Sequence, residues 1–393
     1  MLKKDDFIAI LSEDFPPYHG GIAQWAAGVA DACQKMGYIT RVLTRFRDDY
    51  PSTKNGLLGY SVDYIHGTNW RQHRTFYWRR AFRQLLKTHG MPAVCFATTW
   101  NVARGVFRLC RKRPIALVTV VHALEVTRNM SWLKKRWLTW TLQQSQCVVA
   151  VSEFTKTRLC QSIRLREDKV LVLPNGVNYD HFRPGLDTES LKKQWRIEDE
   201  KVILTLARVV KRKGHDRVLR ALPDVLKVVP NLRYIIAGSW EASWYEELKQ
   251  LACQLGLEQH VSFTGYVPPD ETALYYNLCD VYIMPSRELT ERGDTEGFGI
   301  TFLEANACEK PVIGGNSGGV ADAIEHGKTG YLVDPDDVGE ISQLLIRLLT
   351  DAELAGQLGQ QGRERICERY NWHALTQELL SHIHHSSSEM GVL

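Results

Sequence analysis

Two carboxylates stand eight residues apart around a Gly-Phe-Gly in "DTEGFGITFLEA" (294–305). Glu296 falls on a polar loop, and Glu304 falls about a turn into what reads as a helix. Ile300, Leu303, Glu304 and Ala307 would share one helical face, so the helix start aims unpaired N–H groups at whatever the loop holds. Gly297 and Gly299 remove side chains and admit close backbone approach. Ionised carboxylates accept paired hydrogen bonds from vicinal hydroxyls, such as those of a sugar or ribose. The same residues also fit an ordinary helix start with an acidic group near its positive end and a solvent-facing glutamate.

A second stretch, "ARVVKRKGHD" (207–216), places Arg208, Lys211, Arg212 and Lys213 between a strand and a helix. Arginine offers a planar fork and lysine a point charge, a combination suited to a diphosphate; a solvated basic loop is the plain alternative. In "FPPYHGG", Gly20 and Gly21 open a helix after the first strand and could cradle phosphate, although a glycine pair alone says little. In "TVVHALE", His122 ends an apolar strand, where it could position a sugar or polarise a reacting group, or serve structure alone. Other matches fail. "HGKTG" (326–330) ends like a phosphate-binding loop, but Asp322 stands where the first glycine belongs. "DPDD" (334–337) reads as a helix N-cap rather than a metal site, and no His, Cys or carboxylate cluster has metal-ligand spacing.

Positioning these groups requires strands that end beside them. "FIAIL" (7–11), "RVLT" (41–44), "AVCFA" (93–97), "IALVTVV" (115–121) and "CVVAV" (147–151) alternate with helical patterns. The linker-like "PNGVNYDHFRP" (174–184) follows, and then the pattern restarts at "KVILTLA" (201–207), "RYIIAG" (233–238), "VSFTG" (261–265), "VYIMP" (281–285) and "PVIGG" (311–315). Alternation of this kind predicts an α/β chain of two doubly wound parallel sheets, residues 1–178 and 179–370, with a cleft between them. The tail "HHSSSEMGVL" (384–393) is expected to be disordered.

At 393 residues, with 44% hydrophobic and 24% charged residues, the composition suits a globular protein of two cores. The first apolar run is too short for a signal peptide, and no run approaches the ~18 apolar residues of a spanning helix. Nine scattered cysteines without a C-x-x-C pair fit a reducing, cytoplasmic setting. The net charge of +4 hides an asymmetry: residues 1–180 hold 27 Lys+Arg against 13 Asp+Glu, and the rest hold 22 against 32. Much of the basic excess lies in "WRQHRTFYWRRAFRQLLKTHG" (70–90) and "RNMSWLKKRWLTW" (128–140), neither with an acid. Trp78, Arg79, Arg80 and Arg83 in the first, and Trp132, Lys134 and Lys135 in the second, suit an anionic membrane surface; a core role for the aromatics is the alternative. No nucleic-acid motif accompanies the charge.

Taken in order, these motifs resemble glycosyltransferase family 4, the retaining enzymes of the GT-B fold with two Rossmann-like domains facing across a cleft. Glu296 and Glu304 look like the family's E-x7-E signature, and Arg208 and Lys213 like its R-x4-K pair, with Ala207 where glycine is common. "PPYHGG" is similar to its glycine loop, "VHALE" to its acceptor-domain histidine motif and "PNGVNYDHF" to its interdomain connection. The resemblance implies that Arg208 and Lys213 bind the diphosphate of a nucleotide sugar, with Gly20, Gly21 and Gly238 also on the donor. It implies that Glu296 and the backbone of Gly297, Phe298, Gly299 and Ile300 hold the hexose, and that Glu304 binds ribose. The base would rest near Gly265, Tyr266 and Val267, and His122 would lie near the anomeric centre. His122, Glu296, Arg208 and Lys213 form the implied catalytic set, no metal cofactor is required, and the last helix, about 371–386, packs back on the first domain.

The long "SRELTERGDTEGFGI" and "GGNSGGVADAI" (314–324) resemble the phosphatidylinositol mannosyltransferase branch, which uses GDP-mannose; a UDP-hexose stays open. The resulting expectation is a retaining hexosyltransferase serving a lipid-linked or phosphorylated acceptor, peripheral at the inner, cytoplasmic membrane face, in glycolipid or polysaccharide synthesis. A sugar-nucleotide epimerase of the same fold and a non-catalytic sugar-nucleotide binder are the alternatives. A two-carboxylate glycoside hydrolase would leave the basic motifs without a role.

Overall fold

A computed structural model describes residues 6–18, 20–46, 59–66, 74–291 and 293–389. The first half runs β1 (Phe7–Ser12), α1 (Gly21–Lys35), β2 (Ile39–Arg45), β3 (Ser61–Ile65), α2 (Arg74–His89), β4 (Val94–Ala97) and α3 (Trp100–Arg111). It continues through β5 (Ala116–Val121), α4 (Leu124–Thr127), α5 (Trp132–Gln144), β6 (Cys147–Ala150), α6 (Glu153–Ser162) and β7 (Val170–Val172). The second half runs α7 (Glu189–Trp195), β8 (Lys201–Leu206), α8 (His215–Val228), β9 (Leu232–Ala237), α9 (Ala242–Gln254), β10 (Val261–Gly265), α10 (Thr272–Leu278) and β11 (Val281–Met284). It ends with α11 (Ile300–Ala307), β12 (Val312–Gly315), α12 (Val320–Ala323), β13 (Gly330–Val333), α13 (Val338–Thr350), α14 (Ala352–Arg369) and α15 (Trp372–Glu389).

The chain divides into two compact units, Met1–Gly176 with Trp372–Leu393, and Val177–Asn371. The first holds a seven-stranded sheet ordered β3-β2-β1-β4-β5-β6-β7, the second a six-stranded sheet ordered β10-β9-β8-β11-β12-β13. All the strand pairs are parallel. The chemistry is that of sheets covered on both faces. Short runs such as Val281–Met284 and Cys147–Ala150 are buried at every residue, which suits β-branched and other apolar side chains rather than an in-out alternation. In each sheet the winding reverses once, between β1 and β4 and between β8 and β11. Loops leaving the carboxyl ends of those strand pairs diverge, and ligands of open α/β sheets settle at that switch point.

Two short strands, β3 and β7, have no counterpart in the sequence reading. Both pair at sheet edges, where a few residues suffice because only one neighbour must be matched. The tail also differs from expectation. α15 continues to Glu389, since no glycine or proline interrupts the pattern before Gly391, and a helix once started extends at little cost; residues 390–393 lie outside the described residues. Trp372 at the start of α15 packs against Gly28 of α1. A Cβ at Gly28 would fall 2.1 Å from the indole, and one at Gly176 would fall 2.7 Å from it, so two glycines make the seat for this helix. Asp337 caps α13 by accepting from Glu340 N–H at 2.9 Å, in keeping with the N-cap reading of "DPDD".

Candidate active site

At the switch point of the second unit, the loop after β8 and the loop after β11 bring charges together. The first loop is fastened by Val209 N–H donating to Ser239 O at 2.8 Å, then turns through a short 3-10 segment at Lys211–Lys213. Arg287 N–H donates to Arg212 O at 2.8 Å and ties the two loops. Gly214, at φ +78°, passes so close to Pro285 that a Cβ would meet its carbonyl oxygen at 2.1 Å. The second loop is held from its other side. Gly319 N–H donates to Glu296 O at 2.8 Å, and Gly318, at φ +60°, would put a Cβ 2.3 Å from the same oxygen. The glycine-rich "GGNSGG" therefore fixes the backbone of Glu296.

The result is a three-residue cluster in which Lys213 is buried and Arg212 and Glu296 are half-buried. Lys213 Nζ and Arg212 Nη1 donate to Glu296 Oε2 at 2.6 and 2.5 Å. Burial pulls the Lys213 ammonium down to about 8, against the opposing pull of Glu296, with Arg212 and Arg208 lowering it further. Burial alone would raise Glu296, but Lys213 and Arg212 outweigh it and hold the carboxyl down to about 2. Arg208 is exposed on the same loop. Three cations against one carboxylate leave a net positive site that an anion with several acceptor oxygens, such as a diphosphate, complements. Beneath it, Arg287 grips Asp216 with two bonds, at 2.9 and 3.1 Å, in a buried fork-to-carboxylate pair.

The remaining residues singled out in this unit lie on adjoining elements. Glu304 sits in α11, 4% exposed, and accepts from the Tyr276 hydroxyl at 2.7 Å. Gly299, at φ +95°, is the N-cap of α11; Ile300 and Gly297 are half-buried beside it, and Phe298 is buried against Tyr370 at 6.2 Å between ring centroids. At the end of β9, Gly238 N–H donates to Gly265 O at 2.8 Å, next to exposed Tyr266 and buried Val267 after β10. Sequence reasoning put Glu296 with Lys213, but it did not single out Arg212 as the second donor, Tyr276 behind Glu304, or the Asp216–Arg287 pair. "KRKGHD" holds Arg212 and Asp216, yet spacing alone does not say which cations turn inward, and Tyr276 and Arg287 stand elsewhere in the chain.

In the first unit, Gly20 (φ +142°) caps α1 and Gly21 begins it, with open space where a Cβ would stand at either. His122 Nε2 lies 3.0 Å from Thr98 O, so Nε2 carries the proton and Nδ1 is left as the acceptor. Burial lowers this imidazole to about 4, partly offset by the Thr98 carbonyl. His122 N–H donates to Glu125 Oε2 at 3.0 Å. Burial lifts Glu125 to about 7, with backbone N–H groups opposing the rise and Glu13 adding to it. Glu125, one turn on from His122, is a titratable group the sequence reading passed over. His122 is expected to remain a neutral Nε2–H tautomer from pH 5 to 8. Long-range nitrogen–proton NMR would show a single unshifted ring pattern, and a titration near 6.5 would contradict it.

The membrane-assigned residues divide. Arg80, Arg83, Trp132, Lys134 and Lys135 are exposed and Arg79 is half-buried. Trp78 is a correction: it is 0% exposed and packs in the core of the first unit with Phe82 and Leu85. Trp78, Phe82 and Leu85 recur at i, i+4 and i+7, the inward stripe of α2, and Gly105 of α3 admits the close approach of Trp78, whose Cβ would lie 2.7 Å from a Cβ there. Residues 70–73 of that segment lie outside the described residues. Among the described residues no helix is long and apolar enough to cross a membrane.

Comparison with known proteins bears on the family and the fold. The model "Glycosyltransferase Family 4" matches residues 19–181, and "Glycosyl transferases group 1" matches 187–365. A GDP-mannose-dependent alpha-(1-6)-phosphatidylinositol monomannoside mannosyltransferase of Mycobacterium tuberculosis is 30% identical, over 95% of this chain and 96% of its own. Its namesake from Mycolicibacterium smegmatis is 30% identical over 95% and 97%. Among solved structures, the sucrose-phosphate synthase of Thermosynechococcus elongatus superposes with a TM-score of 0.82 at 20% identity, covering 98% of this chain and 100% of that one. That likeness speaks for the two-sheet GT-B fold.

Proposed function

The chain belongs to the family 4, group 1 glycosyltransferases, and from that premise we propose that it moves a hexose, with retention, from a nucleotide sugar to a lipid-linked or phosphorylated acceptor. The observation that carries this reading is the Arg212–Lys213–Glu296 cluster at the β8/β11 switch point, with Arg208 exposed beside it. A leaving diphosphate gains charge as the glycosidic bond breaks, and fixed cations that need no reorganisation lower the barrier to that step. Lys213, Arg212 and Arg208 would meet the diphosphate; no metal is needed in this reading. Glu296, fixed by the Gly318–Gly319 turn, would accept from hexose hydroxyls, and Glu304, braced by Tyr276, from the ribose. A phosphate oxygen would take the acceptor proton as the new bond forms on the same face, in a front-face substitution. His122 and the glycine pair of the first unit are proposed for the reacting groups. GDP-mannose is the proposed donor, in line with the names of both mycobacterial relatives. The proposed setting is peripheral, on the cytoplasmic face of a membrane.

The test incubates the protein with GDP-mannose and, separately, UDP-hexoses, against a membrane lipid extract, and reads product by mass and anomeric configuration by NMR. A lipid-linked product with the donor's anomeric configuration is expected, and Glu296→Gln is expected to cut transfer about 100-fold, as for loss of one fixed electrostatic partner. An inverted product would remove the front-face mechanism. Isomerised donor without acceptor would replace the transferase by an epimerase.

A further inference from the structure

Trp240 stands just past the end of β9, held by its backbone beside the cationic loop of the second unit. It bridges Val209 in parallel register, with Val209 N–H donating to Ser239 O at 2.8 Å and Glu241 N–H to Val209 O at 3.4 Å. Arg208 precedes Val209 in the chain, and Lys211, Arg212 and Lys213 come shortly after it. The indole stacks on the Tyr245 ring of α9, with centroids 4.3 Å and planes 12° apart. Tyr245 meets Phe263 of β10 edge-on at 5.2 Å, and Lys249 Nζ lies over the Tyr245 ring at 5.3 Å. The far rim of the indole reaches Gly265, where a Cβ would stand 3.3 Å from Cη2. Even so packed, Trp240 is 39% exposed, and Tyr266 beside Gly265 is 54% exposed.

Large rings left open at the carboxyl edge of an open α/β sheet lie where ligands settle. Tyr245 braces the indole from one side, and a flat apolar partner would recover the surface it still shows to water. The bridge to Val209 sets that surface beside fixed cations. The matching ligand therefore joins a planar heterocycle to anionic oxygens, as a nucleotide does. Stacking grows with overlap. The two fused rings of a purine cover an indole, whereas a pyrimidine covers about half of it. We propose that Trp240 is the specificity-determining residue of the donor site, stacking on the nucleobase and favouring a purine over a pyrimidine nucleotide. This role rests on the reading of the unit as a nucleotide-sugar site and deepens it: the choice of GDP over UDP gains a physical cause in this chain. Trp240 lay outside the motifs read from the sequence, because "GSWEASW" (238–244) carries no cation and no glycine pair.

The deciding probe is a diphosphate without a base. Titration calorimetry on the protein compares GDP, UDP and inorganic pyrophosphate, which carries the charges alone. Wild type is expected to bind GDP about tenfold more tightly than UDP. Trp240→Ala is expected to weaken GDP about tenfold and UDP about threefold, so the preference shrinks, while pyrophosphate binds as before. Trp240→Phe keeps a ring and is expected to stay within about threefold of wild type for GDP. Trp240→Leu fills the space without a stacking face and is expected to follow alanine, which carries the test if the alanine variant does not fold. Unchanged GDP affinity in the alanine and leucine variants would overturn the stacking, and equal losses for GDP and UDP would overturn the purine preference. A parallel loss of pyrophosphate binding would assign Trp240 to the shape of the phosphate loop and overturn the base contact. Those outcomes leave the transferase standing, whereas a wild type that binds neither GDP nor UDP removes both readings together.

Discussion

Replacing Lys213 with alanine is expected to lower kcat/KM for the nucleotide sugar by about 10²–10³, with the fold retained. The loss is that of one preorganised charge facing a departing diphosphate in a site shielded from water. The fold survives because Glu296, the partner left behind, keeps Arg212 at 2.5 Å. The effect has a pH signature. With its ammonium held down at about 8 by burial, Lys213 loses its charge in the empty protein as pH rises through that value, so donor kcat/KM is expected to fall above about pH 8. Lys213→Arg keeps a cation at all these pH values and is expected to flatten that limb.

Stability runs the other way for the same group. Between about 8 and its ordinary 10.5 the unfolded chain binds more protons than the folded one, so the contribution of Lys213 to stability rises with pH across that window. Glu296, held near 2, contributes stability that is fully present above its ordinary 4.5 and is lost as pH falls toward 2. Steady-state kinetics from pH 6 to 10 on wild type and both variants is the measurement. Undiminished turnover by Lys213→Ala would sink the assignment.

Asp216→Ala is expected to destabilise the second unit strongly. It strips the carboxylate from a two-bonded pair whose side chains are only 13% and 10% exposed, and leaves the Arg287 guanidinium buried and unpaired. Breaking such a pair costs about 3–5 kcal/mol, whereas replacing both partners with apolar groups is often close to neutral. Urea unfolding of the single variant is expected to show that loss, with a melting temperature lower by roughly 10 °C. Asp216→Leu with Arg287→Met is expected to recover most of it. Because Arg287 also ties the β8 and β11 loops through its backbone, the double variant reads whether loop geometry survives without the charges. If the double variant is no more stable than the single one, the cost lies in something other than an uncompensated guanidinium.

The parts of this protein written locally in the chain are its strands, its helix starts and its loop glycines. Runs such as "VYIMP" and "CVVAV" must be buried wherever they go, so their class follows from composition and length alone. Gly214, Gly299 and Gly318 stand where the backbone adopts positive φ, and the motifs at 207–216 and 294–305 announced charged groups at strand ends. The doubly wound fold followed from the alternation of these elements.

What tertiary structure decided is which of these pieces meet. Arg212 and Glu296 are 84 residues apart, and their contact exists because β8 and β11 are neighbours at the point where the winding reverses. Strand order is a long-range property that no local period encodes. Orientation was the second gap. In α2, cations and aromatics alternate so closely that composition suggested a surface helix, and packing against α3 turned Trp78 inward while leaving Phe76 out. Bonds to backbone are the third, since the carbonyl of Thr98 sets the tautomer of His122, and carbonyls leave no trace in a sequence. The sequence by itself thus determined the inventory of charged and flexible groups and the elements that carry them. Only the fold determined their partners, because partners are chosen by strand order and by which helix face reaches the core.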